Sequence, residues 1–419
     1  MDDISTFFSE SRERASDMQK QEFCRTRTNS GFLTTIRKWM GKPSPKRASD
    51  CYPKSLFLVT GAVIGISGVL LSYLGNPRNT GFCVSCFMEN IAGAIGLHGN
   101  MRMQYLRPEI MGFVIGSFFM AVSKKEFKAS GGSSPLLRYF VGVLLIIGCA
   151  VFIGCPIKMV FRLAAGDLTA LIGVGGLAAG VYVGMKFLEY GFSLGRPNAS
   201  PMGNALLIPL FMALLIVALV LKPGFISFSL KGAGAQYAPV LLSLLTGLGI
   251  GALAQRTGFC ITGGISRLFL WGPKEFTICP KTTGLAIGML SFFLFAVAAN
   301  ILTGQFSLGW NGQPSSNDSH LWNFLGMAVV GFGSVLIKGC PFRQLIAAGQ
   351  GDTDAGTAVL GMLTGAALVQ NWGLGGNAAG TPYEGKVAVL LGLCFLFVIA
   401  LLYRKRGETF APEFQTNLD

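Results

Sequence analysis

Asn79-Thr80-Gly81-Phe82-Cys83 recurs 177 residues later as Arg256-Thr257-Gly258-Phe259-Cys260. A second motif, Gly154-Cys155-Pro156, recurs 185 residues later as Gly339-Cys340-Pro341. Two motifs that repeat in the same order and at nearly constant offset indicate that the chain consists of two related halves.

The sequence around these motifs has the composition of a membrane protein. Of 419 residues, 51% are hydrophobic, only 13% are charged and 57 are glycine, whereas soluble domains have about 25% charged residues. Apolar runs near the length that spans a bilayer recur from residue 55 onward. We therefore predict an all-α, polytopic membrane protein with about ten spans, at 56–75, 108–123, 136–153, 168–188, 204–222, 238–255, 283–303, 321–337, 355–371 and 386–403.

Four apolar stretches are too short to cross and are predicted to be re-entrant or broken helices: Gly81–Leu97, Pro156–Ala165, Gly258–Leu270 and Pro341–Ala348. The two predicted repeats, 55–222 and 223–404, have five spans each. Because five is odd, the second repeat enters the membrane with opposite polarity. Transporters built in this way bind their substrates near the midplane, where broken helices meet.

Basic residues predict the orientation. The tail over 1–54 is rich in Lys and Arg, as is the start of the tail over 405–419, whereas the loop 303–320 has neither residue. The positive-inside rule places both termini in the cytoplasm. We interpret residues 1–54 as a disordered tail; the alternative is a short amphipathic helix over Phe32–Met40 on an anionic membrane surface. The net charge of +14 does not indicate nucleic-acid binding, since the chain has no basic soluble domain.

Gly-Cys-Pro predicts a helix that starts at proline, with the cysteine near its N-cap. A helix N-terminus carries free N–H groups and partial positive charge, and Lys158 or Arg343 adds a cation one turn further on. The pattern therefore predicts an anion site that contains the thiol of Cys155 or Cys340. The alternative is a tight turn with a packed cysteine.

Thr-Gly-Phe-Cys predicts the start of a re-entrant segment at Cys83 and at Cys260, with Thr80 and Thr257 capping or bonding to a short helix. Inversion should bring the four repeated cysteines near a shared axis. Thiols are soft, weak donors, which suit a sulfur or selenium anion better than a phosphate. Packing remains the alternative.

Three further residues have alternative roles. Cys83 and Cys86 form a Cys-x-x-Cys pair that is typical of a redox dithiol, but Gly263 stands in the matching place of the second half. Asp167 and Asp352 follow the Gly-Cys-Pro cysteines at equal offset and are candidates either for proton coupling or for helix capping. The sequence predicts no metal site and no cofactor.

These motifs resemble those of the YeeE/YedE family of membrane sulfur transporters, over about 50–405. The basic tail, the cation after each Gly-Cys-Pro and the extra Cys86 are most similar to its selenium-associated branch. The resemblance implies uptake of thiosulfate or a selenium species across the cytoplasmic (inner) membrane of a bacterium, past Cys83, Cys155, Cys260 and Cys340, and no enzymatic activity. Expected partners are the bilayer, a small inorganic anion and a cytoplasmic sulfur- or selenium-carrier protein. The alternatives are a membrane-embedded relay or redox enzyme and a passive anion channel.

Overall fold

The computed structural model describes residues 53–195, 197–275 and 280–404, without the side chains from 270 to 283. The predicted tails, with the alternative helix over Phe32–Met40, lie almost wholly outside these ranges and stay predictions.

The described part of the chain folds into helices joined by short connections, with one small antiparallel ladder between β1 (Ser130–Gly131) and β2 (Asn198–Ala199). The helices of the first half are α1 (Lys54–Tyr73), α2 (Val84–Ala94), α3 (Pro108–Ser123), α4 (Pro135–Phe152), α5 (Pro156–Ala164), α6 (Thr169–Glu189) and α7 (Met202–Leu221). Those of the second half are α8 (Val240–Thr257), α9 (Ile261–Glu275), α10 (Pro280–Leu302), α11 (His320–Leu336), α12 (Pro341–Gly349), α13 (Thr353–Asn371) and α14 (Tyr383–Leu402).

The ten predicted spans coincide with the ten longest described helices. Eight segments are long and apolar enough to cross a membrane by length and composition, three of which join a long helix to the following short one. The 16-residue α3 is shorter than this criterion requires, and α13 is not among the eight. Helix α13 starts with Thr353 and Asp354 and is mostly buried against other helices. A helix that is shielded from lipid does not need to be uniformly apolar, which explains why hydropathy alone misses it.

The four short helices lie where the sequence predicts them. Helix α2 has 11 residues and α5 and α12 have nine each, all too short to span a bilayer. Proline at the first turn starts α5 and α12, where its missing N–H costs no hydrogen bond. Gly258 ends α8 at a φ of 64°, a left-handed conformation that glycine adopts without strain.

Long helices pair across the halves. The most extensive contacts join α1 to α10, α3 to α8, α4 to α13 and α6 to α11. When helices are numbered within each half, the first helix of either half pairs with the third of the other, and the fourth pairs with the sixth. This pairing is reciprocal, as an inverted repeat requires.

Glycine makes these cross-half contacts close. A Cβ atom on Gly112 of α3 would lie 2.8 Å from the Cα of Gly247 on α8, and one on Gly61 of α1 would overlap the carbonyl of Gly288 on α10. In lipid, helices associate through such small residues because backbones can then approach closely.

The connections lie at the two ends of the long helices, which we call the first face and the second face. On the first face, Ser227 in the connection after α7 donates its N–H to the carbonyl of Ala94 at the end of α2, and Ser307 after α10 donates to Ala165 after α5. On the second face, Lys128 after α3 donates to Gln350 after α12. Cys83 and Cys155 follow helices that end at the first face, whereas Cys260 and Cys340 follow helices that end at the second.

Candidate functional site

Each Gly-Cys-Pro motif places its cysteine at the N-cap of a short helix, as predicted. Cys155 has φ −79° and ψ 171° before α5, and Cys340 has φ −68° and ψ 169° before α12. Both are extended residues that lead directly into a proline at the first helical turn. The thiols therefore lie beside the free N–H groups and the positive end of a helix.

The glycine of each motif makes room for the cation that follows. A Cβ atom on Gly154 would lie 2.8 Å from Cδ of Lys158, and one on Gly339 would lie 2.8 Å from Cγ of Arg343. Each basic side chain thus folds back over its glycine toward the start of its own helix. Gly-Cys-Pro and the cation are one packed unit in both halves.

The Gly-Phe-Cys cysteines also lie at helix starts. The thiol of Cys83 caps α2 by accepting the N–H of Cys86 at 3.4 Å, and the thiol of Cys260 accepts the N–H of Gly263 at 3.4 Å. A hydroxyl two residues on contacts each sulfur, Ser85 Oγ at 3.3 Å from Cys83 and Thr262 Oγ1 at 3.2 Å from Cys260. The contacts of the sulfur with the helix N–H and with the neighbouring hydroxyl thus have nearly the same lengths in the two halves.

The predicted capping role of Thr80 and Thr257 is wrong. The hydroxyl of Thr80 contacts the carbonyl of Arg78 at 3.3 Å, and that of Thr257 donates to Leu253 at 2.9 Å within α8. At Cys83 the sulfur itself accepts the helix N–H that a threonine was expected to accept. The threonines shape the approach to the short helices instead of capping them.

The two motifs of each half meet. In the first half, the N–H of Val84, adjacent to Cys83, donates to Cys155 Sγ at 3.3 Å. In the second half, Cys260 Sγ lies 3.6 Å from Cys340 Sγ. All four repeated cysteines are buried. We call Cys83, Cys86 and Cys155 the first thiol cluster, and Cys260 and Cys340 the second.

Each thiol cluster has a cation nearby. Lys158 is 2% exposed and its ammonium lies 3.7 Å from Cys86 Sγ, without an ion-pair partner among the described residues. Arg343 is half-buried and donates to Gln350 Oε1 at 3.3 Å, while its Nη1 is buried and has no hydrogen-bond partner there. Buried charges are normally paired, so each cluster has positive charge without a counter-charge among the described residues.

Cys86 belongs to the first thiol cluster although the repeat leaves it out. Its sulfur lies 2.8 Å from Cys83 Sγ, and both cysteines are free thiols. The second half has Gly263 here, so the first thiol cluster has a dithiol that the second lacks.

The two aspartates have different surroundings. Asp352 is the N-cap of α13 and accepts the N–H of Ala355 at 3.0 Å, which is the geometry of the capping alternative. Asp167 instead pairs with Arg162 at 2.7 Å and accepts the N–H of Thr169 at 2.9 Å, all three residues being buried.

Phenylalanines from both halves lie between the clusters, a feature that the sequence analysis missed. Phe82 packs edge-on against Phe161 at 6.0 Å between ring centroids, and Phe161 against Phe292 at 4.8 Å. Phe82 also contacts Phe113, which contacts Phe342, two residues after Cys340 of the second thiol cluster. Phe292 contacts Phe259, which is next to Cys260. We call this set the aromatic layer; it consists of Phe82, Phe113, Phe161, Phe259, Phe292 and Phe342, all buried.

A small recess of about 10 Å³ lies near the first-face ends of α1 and α10. It is lined by polar side chains, including Asn79, Asn300 and Gln305, and by Phe161. Phe161 thus forms the wall of the recess that belongs to the aromatic layer.

Glu89 is a further buried polar residue that the motifs did not reveal. It lies one turn after Cys86 on α2 and is 6% exposed. Its position in the second half holds Ser266, so a search for repeated residues passes over it. An acidic residue in a short apolar segment was the only available signal.

Comparison with protein-family models and with curated proteins finds no match to this chain. The fold, which is that of a helical membrane protein, and the geometry of the two thiol clusters are therefore the basis for its function.

Proposed function

We propose that this chain is a transporter that carries a small, soft sulfur- or selenium-containing anion across the cytoplasmic membrane of a bacterium, with both termini in the cytoplasm. The observation that carries the proposal is the duplicated thiol cluster at the starts of short helices, where the two clusters follow helices that end at opposite faces. Transporters with inverted repeats bind substrate in this way, at broken helices inside the membrane. The resemblance to the YeeE/YedE family supports the same function.

The chemistry of each cluster favours a soft anion. Helix N-termini and the cations Lys158 and Arg343 supply positive potential inside a low-dielectric layer, where it acts strongly. The thiol of Cys86 lies 3.7 Å from the ammonium of Lys158, and thiols suit a polarisable sulfur or selenium atom. A phosphate site would be expected to supply more backbone N–H and hydroxyl donors than these clusters do.

The aromatic layer favours a carrier over a passive channel. Six buried rings fill the interior between the clusters, and a continuous aqueous passage would require them to separate. In a carrier, the anion passes from one cluster to the other as the halves rock and the rings part.

The test is uptake of labelled thiosulfate and selenite into proteoliposomes that contain the purified protein. We expect wild type to take up at least one of them, and Cys155→Ala with Cys340→Ala to lose most of the uptake. Cys394→Ala, which changes an exposed cysteine of α14, is the matched control and should transport normally. Normal uptake by the double variant would refute the role of the thiols.

A second candidate function is a sulfur or selenium relay, favoured by the 2.8 Å contact between Cys83 Sγ and Cys86 Sγ. Lys158 supplies positive charge beside this pair, and the thiolate is the nucleophilic form of a cysteine. A covalent sulfur or selenium adduct on Cys86 during turnover, detected by mass spectrometry, would favour the relay. Unchanged transport by Cys86→Ser would favour simple carriage.

A further inference from the structure

Glu89 is a buried carboxylate without an ion pair among the described residues. Its one side-chain hydrogen bond comes from the amide of Gln370 on α13, and that glutamine accepts a bond of 2.7 Å from Asn100. An ionised carboxylate in such a place is costly, and an intramembrane acid with only neutral hydrogen-bond partners is readily protonated.

The charged and titratable groups around Glu89 belong to the first thiol cluster and its surroundings. Cys83 at the N-cap of α2, Lys158 of α5 and Cys149 of α4 are close enough to Glu89 to interact with it electrostatically. His98 in the following connection binds the backbone carbonyl of Glu89 at 2.8 Å, so its ring holds the helix and not the carboxylate.

The remaining charged groups beside α2 bond to neutral partners. On α12, Arg343 donates to Gln350, and on α3, Glu109 accepts from Asn76 at 2.9 Å. Arg107 donates to Asn90 at 2.7 Å and forms no ion pair with Glu89. Among the described acids, Glu89 and Glu109 are both buried with a side-chain amide partner, and Glu89 is the one on the helix that carries Cys86.

A substrate anion beside Lys158 would meet the charge of Glu89 unless the carboxyl is neutral. Like charges in a shared site raise each other's cost of ionisation, so anion binding must favour protonation. By linkage, protonation must favour anion binding to the same degree.

We infer that Glu89 is the proton-exchanging group of this chain and takes up one proton from the first face when the anion binds beside Lys158 and Cys86. The inference rests on the proposed function and adds its coupling ion. The proton enters from the first face with the anion and leaves to the second face once the anion has passed to the second thiol cluster, where Ser266 stands in the place of Glu89. One proton thus crosses with each anion, so the proton gradient drives transport.

The test is isothermal titration of thiosulfate, and of selenite in a second arm, into purified protein in two buffers of different ionisation enthalpy. The difference in heat counts the protons taken up per anion bound. At a pH above the titration of Glu89 in the free protein, we expect wild type to take up about one proton per anion bound. In that range, binding should tighten about tenfold for each unit by which the pH is lowered. Glu89→Gln should bind the anion without proton uptake and with little pH dependence.

Glu109→Gln is the matched control, because it removes another buried, amide-bonded carboxyl and should keep the proton uptake. Glu89→Asp keeps the carboxyl and should restore most of it. Proton uptake that persists in Glu89→Gln would overturn the inference, and so would a Glu89→Gln protein that binds no anion. Neither result would contradict the proposed transport function. If wild type bound neither anion, the proposed function would fail first, and this inference with it.

Discussion

The buried ion pair between Arg162 and Asp167 is predicted to hold α5, and with it Cys155 and Lys158, in place. The carboxylate of Asp167 accepts from Arg162 Nε at 2.7 Å and from the hydroxyl of Thr169 at 2.6 Å. The guanidinium also donates to the carbonyl of Phe152 at 2.7 Å. Asp167→Ala would leave this guanidinium buried without a counter-charge.

The magnitude follows from the burial of both partners. Side chains of Arg162 and Asp167 are 0% exposed, so water cannot replace the lost carboxylate. Removing one partner of a buried pair costs about 3–5 kcal/mol, and Coulomb's law at an effective dielectric constant of about 20 gives about 4 kcal/mol for charges about 4 Å apart. The two estimates agree, and we expect Asp167→Ala to lower the free energy of unfolding by about 4 kcal/mol.

The assay is unfolding by sodium dodecyl sulfate in mixed micelles, followed by circular dichroism. Arg162→Met combined with Asp167→Leu should cost less than Asp167→Ala alone, since no charge is then left unpaired. Glu189→Ala, which breaks a partly exposed ion pair with Lys186, should change stability by less than about 1 kcal/mol. A cost below about 1 kcal/mol for Asp167→Ala would show that the pair does not anchor α5.

Three further predictions concern packing, closure and capping. Gly116→Leu should destabilise the fold and Gly249→Leu should not, because a Cβ atom overlaps α8 at the first position and meets open space at the second; detergent unfolding of both compares them. Phe161→Ala should open the aromatic layer and produce an anion leak in liposomes, whereas Phe119→Ala, at an exposed ring, should stay tight. Asp352→Ala should cost about 1 kcal/mol of unfolding free energy through the lost N-cap, measured by the same detergent unfolding.

Much of the fold was predictable because its signals are local. Proline after Cys155 and Cys340 is favoured at the first turn of a helix, and the repeated motifs align the halves without any knowledge of contacts. The span predicted at 355–371 was also confirmed as α13, although its extensive burial against other helices depends on the tertiary structure.

The candidate site was predictable only where the repeat marks it. The four cysteines, Lys158 and Arg343 recur in both halves, and the structure brings them together at helix starts. Propensity failed at Thr80, because the usual N-cap preference ignores a sulfur that accepts the same bond. Phe161 and Glu89 have no counterpart of the same kind in the other half, and their importance comes from neighbours that are distant in sequence.

The reciprocal pairing of α1 with α10 and of α4 with α13 has a consequence for biosynthesis. The most extensive contacts of each half are with helices of the other half. Helices α1 to α7 are therefore synthesised and inserted before their main contacts exist. In that interval their glycine-lined surfaces face lipid. Two fragments cut in the connection between α7 and α8 should therefore be degraded when made alone and recover function when made together.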